Sequence, residues 1–283
     1  NSFHLALIRV DALWLMELNA ERRTVHFHVH HLTETGHTER SLPLETTHGP
    51  PLELTEHVHT DNVLVCVFAH KNGSILVRYK LSSVSAKQTR EQLVECIDTR
   101  HVDETEIVKL AYNNVLLIYS TNRSMLHVIE AQSNSLETKW HVKGEVRAIS
   151  FDPSLNDRSF ALITDSELFV LMLGPSSPSL NEQAAAIIIL AVVNIKQASS
   201  IVAVRVPTIF VLEGNASLNR QPQVKELTQL AEHRQLIVDL FSLDQEQFVK
   251  LLHQRRDDAT STTPWMLLAR RSLAERDIET ALY

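Results

Sequence analysis

Residues 145–173 read EVRAISFDPSLNDRSFALITDSELFVLML, and this stretch decides the predicted fold. It contains three short apolar segments, which are separated by polar turns around Asp152-Pro153 and Thr164-Asp165-Ser166. Apolar segments of this length between turn residues are typical of antiparallel strands that follow one another in a meander. Because the repetition of strand and turn is also the pattern of a β-propeller blade, we predict a blade here.

The same pattern extends over most of the chain. Residues 107–142 repeat the meander, and residues 62–81 predict a hairpin around Asn72-Gly73, two residues that tolerate positive φ. We interpret residues 187–213 as the last blade and residues 32–61, rich in Thr, His, Glu and Pro, as a long loop between blades. About 220 residues of β-structure correspond to roughly five blades at the usual repeat length of about 40–45 residues.

The periodicity changes near Gln223. From Val224 onward the apolar residues recur at roughly helical spacing. Asp244 and Pro264 stand where they favour the start of a helix. We therefore predict a mostly antiparallel β-propeller over residues 1–215 and an α-helical segment over residues 216–283, in which an α-solenoid begins.

Two parts of the chain resemble known families. Residues 107–142 and 146–173 resemble degenerate WD40-like blades, although Trp140 is followed by His141 instead of Asp. Residues 264–283, PWMLLARRSLAERDIETALY, resemble the first TPR-like helical repeat behind the propeller of coatomer subunits and of the WD-repeat subunits of intraflagellar transport complex A. The positions that carry this protocoatomer-like resemblance are Trp265, Leu268-Ala269, Ala274, Asp277 and Ala281.

The resemblance implies a non-catalytic scaffold or adaptor in an intracellular trafficking assembly, of the intraflagellar transport or the coat and tether type. Its partners would be other protein subunits, bound through the propeller face and the helical repeats, with peripheral membrane association through the complex. The implied location is the cytoplasm, including the cilium or endomembranes. The alternative is the propeller platform of a ribonucleoprotein or nuclear pore assembly, but the net charge of −7 disfavours nucleic-acid binding.

Composition argues against several other classes of protein. The chain has 283 residues, of which 44% are hydrophobic and 22% charged, as in an ordinary globular protein. Its six glycines leave little room for a phosphate-binding loop, and no nucleophile-elbow or dinucleotide motif occurs, so we predict no enzyme and no cofactor. Two cysteines, Cys66 and Cys96, in apolar surroundings indicate a reduced intracellular protein, with a single disulfide as the alternative. Because the first residue is not Met and the last lies within a helical pattern, we expect a fragment.

Histidines dominate one face of residues 24–31, TVHFHVHH. Strict alternation places three apolar side chains on one face of a strand and His26, His28 and His30 on the other. Imidazoles at this spacing could share a metal ion, and a metal hydrolase is our third hypothesis, but the site would need a further ligand and a supporting carboxylate. His57 and His59 repeat the spacing within the predicted loop. We interpret the histidine face as solvated and predict no metal.

A partner-binding surface is predicted on the helical segment. Trp265 and Leu268 share an apolar stripe, which an adjoining repeat or a partner would cover. Arginine pairs on the same segment could contact an acidic partner or a phospholipid head group. These arginines are Arg255, Arg256, Arg270 and Arg271. We favour a stripe that belongs to the core and arginines that are solvated. Partner binding is the alternative, and it is compatible with a core role of the stripe.

Overall fold

The structure is a computed structural model in which part of the chain is described. The described residues are 4–9, 11–32, 36–45, 51–83, 93–131, 137–152, 157–174, 187–195, 198–205, 208–213, 221–226, 239, 245–254 and 263–274. The chain divides into two units, of which the first comprises residues 1–114 and 121–123, and the second residues 115–120 and 124–283.

Within the described residues, nineteen strands form five sheets, and in each sheet the spatial order of the strands follows the sequence. Four of these sheets have four strands and one has three. The described part of the chain is therefore mostly antiparallel β-sheet, built from consecutive meanders, as the sequence predicts.

The first unit contains two complete sheets. The first sheet consists of β1 (Leu5–Ile8), β2 (Ala12–Asn19), β3 (Thr24–His31) and β4 (His37–Pro43). The second sheet consists of β5 (Glu53–His59), β6 (Val63–His70), β7 (Gly73–Leu81) and β8 (Val94–Asp103). The last strand of this unit is β9 (Ile107–Tyr112).

Side chains from both of these sheets form one hydrophobic core. Alternate residues of β2 and β3 point into it, among them Trp14 and Phe27, which are 2% and 1% exposed. From the second sheet, Phe68 and Tyr79 are fully buried in the same core, and the rings of Phe27 and Tyr79 meet edge to face at 5.2 Å. The two sheets therefore pack face to face, with aromatic rings at the contact.

The second unit contains the remaining strands and the described helices. Of the third sheet it contains β10 (Leu116–Thr121), β11 (Met125–Glu130) and β12 (Glu137–His141), which pair in this order. The fourth consists of β13 (Ala148–Phe151), β14 (Ser159–Ile163), β15 (Glu167–Leu173) and β16 (Ile187–Asn194). The fifth consists of β17 (Ala198–Arg205), β18 (Thr208–Glu213) and β19 (Gln221–Glu226). The helices are α1 (Gln245–Gln254) and α2 (Thr263–Ala274).

A second core joins the fourth and fifth sheets to both helices. Val170 of β15 and Ile209 of β18 are fully buried in it. Phe248 of α1 and Leu267 and Leu268 of α2 are at most 2% exposed in the same core. The helices therefore pack onto sheet structure. None of the described helices is both long and apolar enough to cross a bilayer.

The meander in residues 145–173 is confirmed, but the strand that follows it was assigned to the wrong sheet. β16 pairs with β15, with Met172 opposite Ile188, and so completes the fourth sheet. The last sheet is instead β17, β18 and β19. Apolar content alone does not tell which neighbour a strand pairs with, because β15 and β16 are both rich in apolar residues.

Residues 32–61 are not one long loop, because they contain β4 and β5. Both strands are edge strands of their sheets and expose every second residue. β4 buries only Leu42, so its sequence lacks the apolar alternation from which strands are predicted. Polar side chains are typical of edge strands, which keeps such edges from pairing with other chains.

The predicted change to helix at Val224 is wrong in position. Gln221–Glu226 form β19, which pairs with β18, and Val224 is 61% exposed instead of lying on a buried helical stripe. The two helices with described bounds, α1 and α2, are short, with ten and twelve residues. Pro264 lies in the first turn of α2, as predicted, whereas Asp244 and residues 275–283 lie outside the described residues.

The position of Gly73 requires glycine, because both its backbone conformation and its surroundings exclude a side chain. It begins β7 directly after the turn at Lys71 and Asn72, with a φ of 147°. A Cβ on Gly73 would lie 2.1 Å from the carbonyl oxygen of Val102 in β8. The absence of a side chain therefore allows β7 and β8 to approach each other at this turn.

We expect Gly73→Ala to lower the free energy of unfolding by about 2 kcal/mol or more, because the clash is with backbone and φ is unfavourable. Gly36→Ala is the matched control, since its added Cβ would meet only the His31 side chain, at 3.3 Å. Urea unfolding followed by circular dichroism measures both variants. Equal unfolding midpoints for the two variants would contradict this role of Gly73.

Candidate functional site

Three turns of the first unit surround a cavity of about 640 Å³. The turn between β6 and β7 contributes residues 70–73, and the segment between β8 and β9 contributes residues 103–106. Asn122, in the turn between β10 and β11, completes the lining. Turns carried on a rigid sheet framework are the usual location of binding residues.

Backbone hydrogen bonds hold the three turns together. The amide of Glu104 donates to the carbonyl oxygen of Asn72 at 2.7 Å, and the amide of Asn122 donates to that of Glu106 at 2.9 Å. The Arg123 guanidinium donates to the carbonyl oxygen of Glu104 at 3.1 Å. Glu104 itself has a φ of 58°, which turns the chain sharply between β8 and β9. The shape of the cavity is therefore fixed by main-chain contacts.

The cavity carries more negative than positive charge. Asp103, Glu104 and Glu106 each contribute a carboxylate, whereas Lys71 is the only ammonium group in the lining. The Arg123 guanidinium lies 4.0 Å from the Glu104 carboxylate at the margin, and both side chains are exposed. Such a cavity favours a cationic ligand that also offers hydrogen-bond donors.

The histidine face of β3 continues onto β4. His28 lies opposite Glu39, and His30 lies opposite His37. The His28 Nδ1 atom lies 3.2 Å from the Glu39 Oε1 atom, and the His37 Nε2 atom lies 3.8 Å from the same oxygen. The rings of His37 and His30 stack at 4.5 Å. One ligand atom from each of His28, His37 and Glu39 lies within 4.8 Å of the others, so these residues could hold a metal ion.

The sequence pattern of β3 predicts His28 and His30, whereas His37 and Glu39 lie outside that prediction. They were assigned to a loop, although His37, Glu39 and Ser41 alternate along one face of β4 in HTERS. That period-two spacing of polar residues was the available signal. His26 is not part of the group, because its Nε2 atom forms a hydrogen bond with the Thr24 hydroxyl at 2.9 Å.

The predicted partner-binding residues of α2 lie largely within the core. Leu268 and Arg271 are 1% and 6% exposed, and partner binding through them stays a prediction. Trp265 is half-buried, and its ring meets that of His253 of α1 edge to face at 5.5 Å. Arg255, Arg256 and the side chain of Arg270 lie outside the described residues. Partner binding through Trp265 stays a prediction.

Leu268→Ala should lower the free energy of unfolding by about 2–5 kcal/mol, because it removes a buried side chain from the second core. Met266→Ala is the control on the same helix, since Met266 is 43% exposed, and we expect a change within about 0.5 kcal/mol. Thermal and urea unfolding measure both variants. An unchanged stability of Leu268→Ala would contradict its burial in the second core.

A cluster of three side chains on the third sheet consists of Tyr119, His127 and the carboxylate of Glu137. The His127 Nδ1 atom lies 2.5 Å from the Glu137 Oε1 atom, and the Tyr119 hydroxyl donates to the same oxygen at 3.0 Å. The rings of Tyr119 and His127 stack at 4.5 Å. The hydrogen bond to His127 is the main cause that lowers the pKa of Glu137 to about 2. The cluster ties β10, β11 and β12 together.

We expect Glu137→Gln to destabilise the protein by roughly 1–2 kcal/mol at neutral pH. The folded-state pKa of about 2 lies below the ordinary value of 4.5. The carboxylate therefore stabilises the fold above pH 4.5, and this contribution is lost as the pH falls from about 4.5 toward about 2. Stability measured against pH should fall less steeply there in Glu137→Gln than in the wild type.

The control for this measurement is Glu246→Gln, which removes an exposed carboxylate from a pair with Lys250 on α1. We expect it to change stability by no more than about 0.5 kcal/mol. If Glu137→Gln showed the same acid dependence as the wild type, the proposed contribution of the cluster would be wrong.

Comparison with known proteins gives structural neighbours only. No protein-family model and no curated protein matches the sequence. The structure is similar to the WD40 domain of Toxoplasma gondii coronin, with a TM-score of 0.49 and 10% identity, over 77% of this chain and 54% of that one. It is also similar to a chain of the mitotic checkpoint complex, with a TM-score of 0.47 and 11% identity, over 76% and 57% of the two chains.

A third neighbour is the WD40 β-propeller domain of Doa1, with a TM-score of 0.47 and 8% identity, over 80% of this chain and 65% of that one. The chain thus spans between about half and two thirds of the lengths of these three chains. Its structural neighbours include WD40 propeller domains.

Proposed function

We propose that this chain is a non-catalytic protein-interaction scaffold whose sheets are the blades of a WD-repeat β-propeller. The observation that carries the proposal is the succession of four-stranded antiparallel meanders in sequence order. This is the repeating unit of propellers, which use their connecting turns as binding surfaces.

The burial of the inner strands supports this architecture. On β6, Cys66 and Phe68 are fully buried in the first core, and Val65 and Val67, which point to the opposite face, are fully buried as well. All described side chains of β10 and β14 are likewise buried. A strand that is buried on both faces needs a packed layer on each side of its sheet. Stacked blades provide such layers.

The ionisable groups with perturbed pKa values support a scaffold more than an enzyme. Burial raises the pKa of the Cys66 thiol, so this cysteine stays protonated and is a poor nucleophile. The low pKa of Glu137 keeps its carboxylate ionised and unsuited to donate a proton at neutral pH. Among the described residues, none of the groups with a resolved pKa shift lines the cavity of the first unit.

The partner chemistry follows from the cavity between the turns. Its carboxylates, on Asp103, Glu104 and Glu106, favour a segment of a protein partner that carries Lys or Arg. A volume of about 640 Å³ is enough for one or two such side chains with their backbone.

We further propose that the assembly is an intracellular trafficking complex of the coat or intraflagellar transport type. The support is the resemblance of residues 264–283 to the first helical repeat of such subunits, together with the position of α1 and α2 after the sheets. The proposal includes a cytoplasmic location, at the cilium or at endomembranes, and membrane association through other subunits. Cross-linking and mass spectrometry of the full-length protein in cells would identify these subunits as neighbours, and exclusively ribonucleoprotein neighbours would contradict it.

The cavity is tested by charge reversal. We expect Glu104→Lys combined with Glu106→Lys to weaken binding of a Lys/Arg-rich peptide about tenfold or more, because two attractive charges become repulsive. Fluorescence anisotropy at low and at physiological salt measures the dissociation constant. The control is Glu21→Lys with Glu45→Lys, which makes the same change of charge at exposed positions outside the cavity. Equal losses in both double variants would indicate a net-charge effect and contradict a specific site.

A further inference from the structure

We propose that His28, His37 and Glu39 form a Zn²⁺ site on the face of the first sheet that points away from its core. The site is independent of the proposed scaffold function. It supplies the two elements that the spacing of the β3 histidines alone lacked, namely an imidazole from a second strand and carboxylates next to the imidazoles.

The separations of the ligand atoms approach those of a four-coordinate zinc site. Bonds of about 2.0–2.1 Å in a tetrahedron place neighbouring ligand atoms roughly 3.3 Å apart. The His28 Nδ1 and Glu39 Oε1 atoms lie at 3.2 Å, and the His37 Nε2 and Glu39 Oε1 atoms at 3.8 Å. His28 and His37 each offer one ring nitrogen within 4.8 Å of the other. Because His37 and Glu39 are exposed, small side-chain rotations can bring all three ligands to the metal.

The position of His28 suits a metal ligand in a second respect. Its Nδ1 atom faces Glu39, while its Nε2 atom lies 3.7 Å from the Glu17 Oε2 atom on β2. Imidazoles that bind metals commonly direct the other ring nitrogen toward a carboxylate, which fixes the ring and increases its basicity. With a side-chain exposure of 19%, His28 is also the least exposed of the three ligands, so it anchors the site within the sheet.

The ligand types favour a transition metal such as Zn²⁺ over Mg²⁺ and Ca²⁺. Two imidazoles and one carboxylate suit Zn²⁺, whereas Mg²⁺ and Ca²⁺ require oxygen ligands. Three protein ligands leave one coordination position open, as in zinc sites that bind water or an added ligand. The ring of His30 stacks on that of His37 at 4.5 Å and so supports this ligand. Since β4 is an edge strand that pairs only with β3 among the described strands, a bound ion would fasten this strand to the sheet.

The test titrates the metal-free, full-length chain, without a polyhistidine tag, with Zn²⁺ by isothermal calorimetry. We expect one Zn²⁺ per chain at micromolar affinity or better. His28→Asn, His37→Asn and Glu39→Gln should each weaken binding about 100-fold or more, and Glu17→Gln about tenfold, because a supporting carboxylate contributes less than a ligand. Co²⁺ added in place of Zn²⁺ should give the visible absorption of a four-coordinate site.

Two controls separate this site from general histidine binding. His26→Asn changes the same strand face, but its ring bonds to Thr24. The double variant His57→Asn with His59→Asn removes a pair with identical spacing on β5. Both should bind Zn²⁺ like the wild type, and circular dichroism should show that every variant is folded. Absence of stoichiometric binding, retained binding in both His28→Asn and His37→Asn, or an equal loss in His26→Asn would each overturn the proposal.

Discussion

Burial of the inner strands on both faces is the constraint on which the rest of this structure depends. A strand such as β6 has no solvent-facing side, so its sheet is stable only when each face meets another packed layer. The pairs of consecutive sheets that share a core meet this need for one face of each of these sheets. The same constraint moves polar and charged side chains to the edge strands and turns, because the inner strands have little room for them.

Binding residues are therefore expected on the edge strands and turns, where side chains are not buried on both faces of a sheet. In the first unit the outer face of β3 and β4 carries imidazoles and carboxylates, and the turns at one end of β7 and β8 carry three carboxylates. Different interactions hold these two regions in place. The turns are held by main-chain hydrogen bonds, whereas the histidine face is held by the register of the strands. Side chains on a fixed register are separated by constant distances, which suits coordination of an ion, while a cavity between turns suits an extended segment.

The sequence predicted the inner strands well, because their apolar runs between turn residues have few other interpretations. Residues 145–173 and the Asn72-Gly73 hairpin were placed correctly for this reason. The edges were predicted poorly. Apart from proline, Leu42 is the only apolar residue of β4 and Val224 the only one of β19. The backbone hydrogen bonds that make these segments strands cannot be read from their composition. Because β4 was not predicted, His37 and Glu39 were not recognised as neighbours of the β3 histidines. The helices were expected from periodicity, but the burial of Leu268 and Arg271 depends on which sheets they pack against, which no local pattern contains.

The polar edges of β4 and β5 have a consequence for the behaviour of the chain while it folds. Each strand exposes alternate residues, and the exposed positions of β4 include His37, Glu39 and Ser41. An incomplete stack of sheets presents such edges to other copies of the chain before its own layers have assembled. Charged and imidazole side chains there oppose the addition of a foreign strand, so the same residues that could hold an ion also protect newly made chains against aggregation.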